Sequence, residues 1–359
     1  MQWIWWGLAV LVLAVIAGAI YQMLGTRRDA RRYPAPGRMV SVGTHRLHVL
    51  EMGEKNGARP TVVLEAGLMS TVLSWSTLQP ELARRYRVVS YDRAGLGWSE
   101  LGPMPRTAER IVGELHELLG KAEIAPPYVL VGHSFGGLTM PLFAATYAEE
   151  IAGVVLIDAV VPAEWNPPSE RDQKLSTIGA KVCRRSAVLA RVGLLRFVAY
   201  LLSSGIRKPG AFLVRMISRG TPAESGTVSS PWYSALPAEE RAMTPVFWIQ
   251  PKFALTIASQ LENLPVSAGQ VRDAHGVSGK PVIFLSARTS SQLRREEHRR
   301  IAGSVAHGEH VLAHDSNHWI MQEDPEAVLD AIGRVMEWYA GRREVRVADD
   351  GEEKRDSLR

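Results

Sequence analysis

The chain has 359 residues, of which 46% are hydrophobic and 22% charged, a composition typical of a globular protein and not of a disordered one. The net charge of +5 is spread along the chain without a dense Lys/Arg stripe, which argues against a nucleic-acid partner. The single cysteine, Cys183, excludes an internal disulfide.

The first predicted element is an apolar helix over residues 3–24, a segment without a charged side chain. Roughly 20 such residues, at about 1.5 Å each, cross the hydrocarbon core of a bilayer. Trp3, Trp5 and Trp6 at one end and Tyr21 near the other suit the two interfaces. We predict a transmembrane anchor. A signal peptide is the alternative, disfavoured because the run is long and no Lys or Arg precedes it; a buried core helix is another.

The charges that flank this helix predict its orientation. A basic linker is predicted over residues 25–37, and it carries four arginines, whereas none precedes the helix. Because basic residues favour the cytoplasmic side, we expect a single-pass membrane protein with the rest of the chain in the cytoplasm.

Strands and helices alternate in two blocks, residues 38–160 and 279–340. Continuous apolar strands such as "TVVLE" and "GVVLI", separated by helical stretches, predict an α/β fold with a mostly parallel twisted sheet and helices on both faces. Residues 161–278 contain helical stretches without a clear buried strand, which predicts a helical cap inserted into the sheet. The charged tail, residues 341–359, is predicted to be disordered.

One stretch of the predicted cap, residues 180–202, mixes arginines with apolar residues. We expect an ordinary cap helix that packs on the core. A basic amphipathic helix that lies on the bilayer is the alternative.

A G-x-S-x-G pattern, Gly132 to Gly136, lies between the apolar strand "YVLV" and a helix. A serine on so tight a strand-to-helix turn is held in a strained backbone conformation that exposes its hydroxyl, and glycines avoid collisions with the adjacent elements. The helix that follows directs unpaired N–H groups towards the reacting centre. Ser134 is therefore the predicted nucleophile.

A serine nucleophile needs a base, and His318 is the predicted one because it follows the last strand and precedes the last helix. The neighbouring His307, His310 and His314 are spread along a strand and a loop, without a cysteine or a helical i, i+4 pair to organise ligands, so we predict no metal site.

The third member of such a site is a buried carboxylate that fixes the imidazole. The turn after the penultimate strand offers no acid before Glu296 and Glu297, which lie in a charged helical stretch. Asp158 instead ends the strand that follows the serine strand, so its side chain is expected at the same edge of the sheet. Asp158 is the predicted acid, Glu296 is the alternative, and a purely structural Asp158 stays open.

Four motifs within residues 38–340 resemble the α/β-hydrolase superfamily, in particular its cap-bearing members: "LEAGL", "YDRAGLGWS", "GHSFGG" and "SNHW". The resemblance implies the α/β-hydrolase fold and an oxyanion hole formed by the backbone N–H groups of Leu68 and Phe135. It also implies structural roles for Asp92 and Arg93. Dehalogenases and epoxide hydrolases of this superfamily use an aspartate nucleophile, which argues against both chemistries here.

Together these patterns predict a membrane-anchored serine hydrolase that cleaves a carboxylic ester through an acyl-enzyme, without a metal or organic cofactor. The apolar cap and the anchor favour a lipophilic small-molecule ester as substrate. An amidase, peptidase or thioesterase would use the same three residues. A non-catalytic ligand-binding protein of the same fold is the alternative from another class.

Overall fold

The computed structural model describes residues 2–54, 59–204, 233, 236–273 and 279–356. Within these residues the strands are β1 (Arg38–Val42), β2 (His45–Met52), β3 (Thr61–Glu65), β4 (Val88–Tyr91), β5 (Tyr128–His133), β6 (Ile151–Ile157), β7 (Val282–Ala287) and β8 (Gly308–Ala313). They form one sheet in the order β1-β2-β4-β3-β5-β6-β7-β8. Strand β2 is antiparallel to β1 and β4, and all other neighbours are parallel. The predicted mostly parallel α/β sheet is thus confirmed.

The helices of the same residues are α1 (Gln2–Arg32), α2 (Leu78–Ala83), α3 (Ala108–Lys121), α4 (Gly136–Thr146), α5 (Pro162–Trp165), α6 (Glu170–Arg191), α7 (Leu194–Ser203), α8 (Ala238–Trp248), α9 (Pro251–Glu262), α10 (Leu264–Asp273), α11 (Gln292–Ser304), α12 (Ile320–Glu323) and α13 (Pro325–Asp356). Helices α5 to α10 fall between β6 and β7 in the chain, where the sequence predicts the cap. Part of the predicted cap, residues 205–232, 234–235 and 274–278, lies outside the described residues.

Helices cover both faces of the sheet, which explains why β3, β5, β6 and β7 are buried along their whole length and are mostly apolar. One face packs against α3, α4 and α10. The other face packs against α2, α12 and α13. Burial of each large aliphatic side chain in these layers contributes about 1.5–3 kcal/mol relative to exposure.

Hydrogen bonds fasten the cap to the loop that follows β4. The Lys252 ammonium of α9 donates to the backbone oxygens of Gly97 and Ser99 across 2.8 and 2.7 Å. The backbone N–H of Arg106 donates to the Ser259 hydroxyl across 3.0 Å. The cap therefore rests on the same loop that carries the "DRAGLGWS" motif.

Three segments of the structure differ from the sequence prediction. Helix α1 continues to Arg32, so the first part of the predicted basic linker is helical. Helix α13 continues to Asp356, so the tail predicted to be disordered is helical up to that residue. Residues 342–350 contain neither proline nor glycine, so no residue there breaks the helix. Residues 180–202 are not one helix, because α6 and α7 meet at an angle of 86°.

Within the described residues, α1 is the helix that is long and apolar enough by itself to cross a membrane. Its most apolar 18-residue window has a mean hydropathy of 2.3. Membrane anchors and signal sequences are both long apolar helices of this kind. The bent pair of α6 and α7 is long and apolar enough to cross a membrane only when the two helices are taken together.

Candidate active site

Ser134 lies on the tight turn between β5 and α4, with its backbone in the left-handed region at φ 52°. Its N–H donates to the Ile157 oxygen across 3.0 Å, and its carbonyl accepts from Gly137 and Val160 at 2.9 and 2.8 Å. These three bonds hold a conformation that costs a non-glycine residue about 1–3 kcal/mol. The strained turn inferred from the sequence is present.

The glycines around Ser134 are required by close backbone contacts. A Cβ on Gly132 would lie 2.8 Å from the Gly136 oxygen, and a Cβ on Gly137 would lie 2.3 Å from the Val160 oxygen. Real Cβ atoms do not approach backbone oxygens so closely, so a side chain at either position would force the turn apart.

The structure brings the three predicted side chains together. The His318 Nδ1 atom lies 2.5 Å from Asp158 Oδ2, and its Nε2 atom lies 3.0 Å from Ser134 Oγ. An ionised carboxylate only accepts hydrogen bonds, so Nδ1 carries the proton and Nε2 has a free lone pair. The Ser134 hydroxyl therefore donates to a nitrogen that is ready to accept its proton.

Asp158 is held in place by groups from the turn after β7 and from α11. Ser290 donates its hydroxyl to Oδ1, and the guanidinium of Arg294 lies 3.3 Å from Oδ2. Burial alone raises the pKa of Asp158, but the hydrogen bond from His318, the charge of Arg294 and the Ser290 hydroxyl together lower it below its ordinary value. Asp158 is therefore ionised at neutral pH.

Glu296 and Glu297, the other acidic residues near the end of β7, have partners of their own on α11. Glu296 lies on the exposed side of α11 and accepts from the Gln292 amide at 2.7 Å. Glu297 forms an ion pair with Arg300 at 2.7 Å. The structure thus does not bring Glu296 or Glu297 to His318.

The two predicted oxyanion donors flank the nucleophile. In the described part of the chain, no acceptor engages the backbone N–H of Leu68 or of Phe135. A Cβ on Gly67, directly before Leu68, would lie 3.2 Å from the Ser134 Cβ atom, so this loop touches the nucleophile turn. Both N–H groups are therefore available to a negatively charged oxygen near Ser134.

Arg93 braces the loop that carries Leu68. Its guanidinium donates to the backbone oxygens of Ala66 and Gly67 at 2.5 and 2.6 Å and pairs with the buried carboxylate of Glu65. Because the arginine binds two successive carbonyls, it fixes the direction of the following N–H of Leu68. Arg93 thus has the structural role that the family resemblance implies.

Asp92 organises the other side of the same loop. Its carboxylate accepts from the backbone N–H groups of Val72 and Trp98 at 2.9 and 3.1 Å and from the ring of His48 at 2.8 Å. It has no contact with Ser134 or His318 and is a structural residue, as expected.

Sequence reasoning missed several residues that support the site. His133 donates to the His318 carbonyl oxygen at 2.8 Å, and Ser290 and Arg294 bind Asp158. Arg294 also pairs with Glu164 of α5 at 2.9 Å. Position 133 is one of the two variable positions of the motif, and Ser290 and Arg294 lie more than a hundred residues from Asp158, so no local pattern could reveal these contacts.

The histidines near the C-terminus make hydrogen bonds of their own. The Ser286 hydroxyl lies 2.9 Å from His310 Nε2 and 2.8 Å from His298 Nδ1. Across the ranges that the structure describes, no group of three or more His, Cys, Asp or Glu side chains is arranged to hold a metal ion.

Apolar side chains of the cap lie beside the predicted oxyanion donor Leu68. Phe253 and Ile257 of α9 form a buried cluster with Leu96 of the core, and Leu68 and Trp248 pack against it. The cap therefore packs apolar side chains against Leu68, the residue that follows Gly67 next to the nucleophile turn.

A model of the alpha/beta hydrolase family matches residues 62–331. The chain belongs to this family. Protein YbdG of Bacillus subtilis (strain 168) is 25% identical over 193 residues, which are 53% of this chain and 57% of YbdG. Protein YqjL of the same organism is 36% identical over 104 residues, which are 29% of this chain and 41% of YqjL. The chain thus matches less than two thirds of the length of these relatives.

Solved structures show the same fold. The Cif epoxide hydrolase from Acinetobacter nosocomialis has a TM-score of 0.61 and 17% identity, with 89% of this chain and 96% of that chain covered. A thermophilic esterase from Thermogutta terrifontis has a TM-score of 0.57 and 21% identity, with 84% and 98% covered. At these identities the likeness shows the α/β-hydrolase fold and not the reaction.

Proposed function

We propose that this protein is a serine hydrolase that cleaves carboxylic esters through an acyl-enzyme on Ser134. The observation that carries the proposal is the hydrogen-bonded chain from Asp158 through His318 to Ser134, with distances of 2.5 and 3.0 Å. In this arrangement a buried carboxylate fixes the imidazole, and the imidazole accepts the serine proton.

In the first half of the reaction, Ser134 Oγ attacks the ester carbonyl carbon while its proton moves to His318 Nε2. The N–H groups of Leu68 and Phe135 stabilise the resulting oxyanion, by about 3 kcal/mol per donor. His318 then protonates the leaving alkoxide as the C–O bond breaks. In the second half, a water molecule gives a proton to His318 and attacks the acyl carbon. The bond between the acyl carbon and Ser134 Oγ then breaks, His318 returns the proton to Oγ, and the carboxylic acid is released.

We further propose that the substrates are lipophilic and that α1 anchors the enzyme in a membrane with the catalytic domain on the cytoplasmic side. The cap supports the first point, because Phe253 and Ile257 of the cap form an apolar cluster against which Leu68 packs. The composition of α1 and the basic residues that follow it support the second.

Labelling with a fluorophosphonate probe tests the catalytic proposal. Folded wild-type protein should be labelled, Ser134→Ala should not, and Ser304→Ala, which changes an exposed serine of α11, should behave like the wild type. Absence of labelling in folded wild type would instead indicate a ligand-binding protein without turnover.

A substrate panel tests which acyl group the protein prefers and which type of bond it cleaves. Among p-nitrophenyl esters, kcat/KM should rise with acyl length from two to about eight carbons, since each buried CH₂ contributes about 0.8 kcal/mol. Matched amides and thioesters should react more slowly. Preference for short polar acyl groups would contradict the lipophilic substrate, and preference for amides or thioesters would contradict the ester.

Carbonate extraction followed by intact mass measurement tests the anchor. The protein should remain in the membrane fraction with residues 3–24 present. A soluble product that has lost this segment would show that the segment is a cleaved signal sequence.

A further inference from the structure

Helix α1 does not stand apart from the cap but lies in backbone contact with it. A Cβ on Gly18 would lie 2.2 Å from the Val192 oxygen, and a Cβ on Gly25 would lie 2.4 Å from Arg196 Nε. These glycines are seven residues apart, which is two helical turns, so they share one face. The turn between α6 and α7 therefore rests directly on α1.

The same face of α1 carries the partners of a single cap arginine. Gln22 Oε1 accepts from Arg196 Nε at 3.1 Å, and Asp29 pairs with the Arg196 guanidinium at 2.6 Å. Thr26 Oγ1 lies 3.4 Å from Arg196 Nη2. The spacing 22, 26, 29 keeps all three side chains on one side of the helix. The one charged residue of α7 is thus turned inward and satisfied.

Although Arg196 is turned inward, α7 exposes large apolar side chains around it. Phe197 is 46% exposed, Tyr200 is 57% exposed and Leu202 is 40% exposed. They lie next to a helix that is itself apolar and exposed over most of its length. Large apolar side chains that are exposed in this way are unfavourable in water and favourable in lipid.

We call the bent pair of α6 and α7, with the turn between them, the α6–α7 hairpin. The position at which α1 contacts this turn determines how deep the hairpin would lie in a bilayer. Gly18 precedes Leu24, the last residue of the predicted span, by six residues. At about 1.5 Å per residue this is about 9 Å inside the span. Amphipathic helices that lie on membranes bury their apolar faces about 5–10 Å deep. An anchor in the bilayer therefore carries the α6–α7 turn into the same leaflet.

We propose that the α6–α7 hairpin of the cap is embedded in the bilayer beside α1, with Phe197, Tyr200 and Leu202 of α7 in contact with acyl chains. The proposal rests on the proposed role of α1 as an anchor. In α7 the contact with lipid is apolar, because Arg196, the charged residue of that helix, binds Asp29 of α1. On α6, Arg184 binds Glu262 at 2.5 Å, whereas Lys181, Arg185 and Arg191 are exposed and stay at the level of the head groups.

The hairpin also connects the bilayer to the proposed acyl site. Helix α6 packs along α9 in the cap, and Cys183 of α6 contacts the cluster of Leu96, Phe253 and Ile257 beside Leu68. An ester dissolved in the membrane would thus meet apolar cap surface on its way to Ser134.

Depth-dependent fluorescence quenching in the full chain tests the proposal. In a Cys183→Ser background, single cysteines replace Tyr200 of α7, Leu11 of α1 and Leu293 of α11, which is 47% exposed and serves as the control. Each variant is labelled with an environment-sensitive fluorophore and reconstituted into phosphatidylcholine vesicles with or without nitroxide-labelled acyl chains. Phe197→Cys provides a second α7 position if Tyr200→Cys does not fold.

Quenching of the labels at positions 200 and 11 by about two-fold or more, without quenching at position 293, is the expected result. Quenching at position 11 alone would overturn the embedded hairpin and leave the anchor standing. Absence of quenching at positions 11 and 200 would overturn both the hairpin and the anchor on which it rests. Equal quenching at position 293 would overturn the specific placement of the hairpin.

Discussion

The imidazole of His133 donates a hydrogen bond to the backbone carbonyl oxygen of His318 across 2.8 Å. The residue next to the nucleophile therefore holds the backbone of the base. Burial, together with the nearby His318, lowers the pKa of His133 to about 3. The ring is thus neutral at physiological pH and carries its proton on Nε2, because a carbonyl oxygen can only accept.

Replacement of His133 should slow catalysis through the position of His318. His133→Phe removes the donor and leaves a buried carbonyl oxygen without its partner, which costs about 1–3 kcal/mol. We expect kcat/KM for the preferred ester to fall about 5- to 100-fold. His133→Gln offers an amide N–H in the same direction and should recover part of the activity. Equal activity of wild type and His133→Phe would show that this bond does not position the base.

Neutralising Asp158 should be far more damaging than neutralising Glu296. Asp158→Asn places an amide where the carboxylate fixes the tautomer of His318, and kcat should fall by about 10⁴-fold. Glu296→Gln changes an exposed side chain of α11 and should keep wild-type kcat. The measurement is steady-state ester hydrolysis by protein with native circular dichroism. A reversed order of the two effects would identify Glu296 as the acid.

Two buried histidines should make the protein less stable in acid. Burial lowers the pKa of His133 to about 3 and that of His298 to about 4, from 6.5. Between about pH 6.5 and pH 4 the unfolded chain binds a proton at each site and the native protein does not. The free energy of unfolding therefore falls as the pH is lowered, by about 1.4 kcal/mol per pH unit for each histidine.

Urea unfolding of His298→Gln between pH 7 and pH 4 tests this pH dependence. The slope should be smaller than in the wild type by about 1.4 kcal/mol per pH unit. His314→Gln, at an exposed position, is the matched control and should keep the wild-type slope. An unchanged slope in His298→Gln would contradict the assignment.

A single methyl group at the nucleophile turn should destabilise the fold. A Cβ on Gly137 would lie 2.3 Å from the Val160 oxygen, so Gly137→Ala should lower the free energy of unfolding by about 1–3 kcal/mol. Gly113→Ala in α3 has no heavy atom within 4 Å of the new Cβ and should instead stabilise the protein by up to about 1 kcal/mol. Chemical denaturation of both variants provides the measurement, and similar values would refute the contact.

The sheet and the three hydrogen-bonded residues could be predicted because their signals are local. Ser134 lies in a spaced glycine motif, and the apolar runs of β5 and β6 mark the strand before its turn and the next strand along the chain. Asp158 could be inferred because carboxyl ends of adjacent parallel strands meet at one edge of a sheet. These inferences need only the neighbourhood of each residue and the order of the strands.

Contacts between distant segments could not be predicted in the same way. Arg294 reaches Asp158 across 136 residues, and Arg196 reaches Asp29 of α1 from the cap. Each pairing depends on how two helices pack, and nothing in the sequence around an arginine specifies its partner. The helical state of residues 342–356 was missed because a charged composition does not distinguish a solvated helix from a disordered segment.

The carbonyl oxygen of Ser134 also accepts from Val160, two residues beyond Asp158 and directly before the cap. This bond ties the first residues after β6 to the nucleophile turn. A displacement of the cap that started before Val160 would break this bond and disturb the nucleophile turn. The chain can therefore change direction into the cap without disturbing Ser134 only beyond Val160, from Val161 onwards.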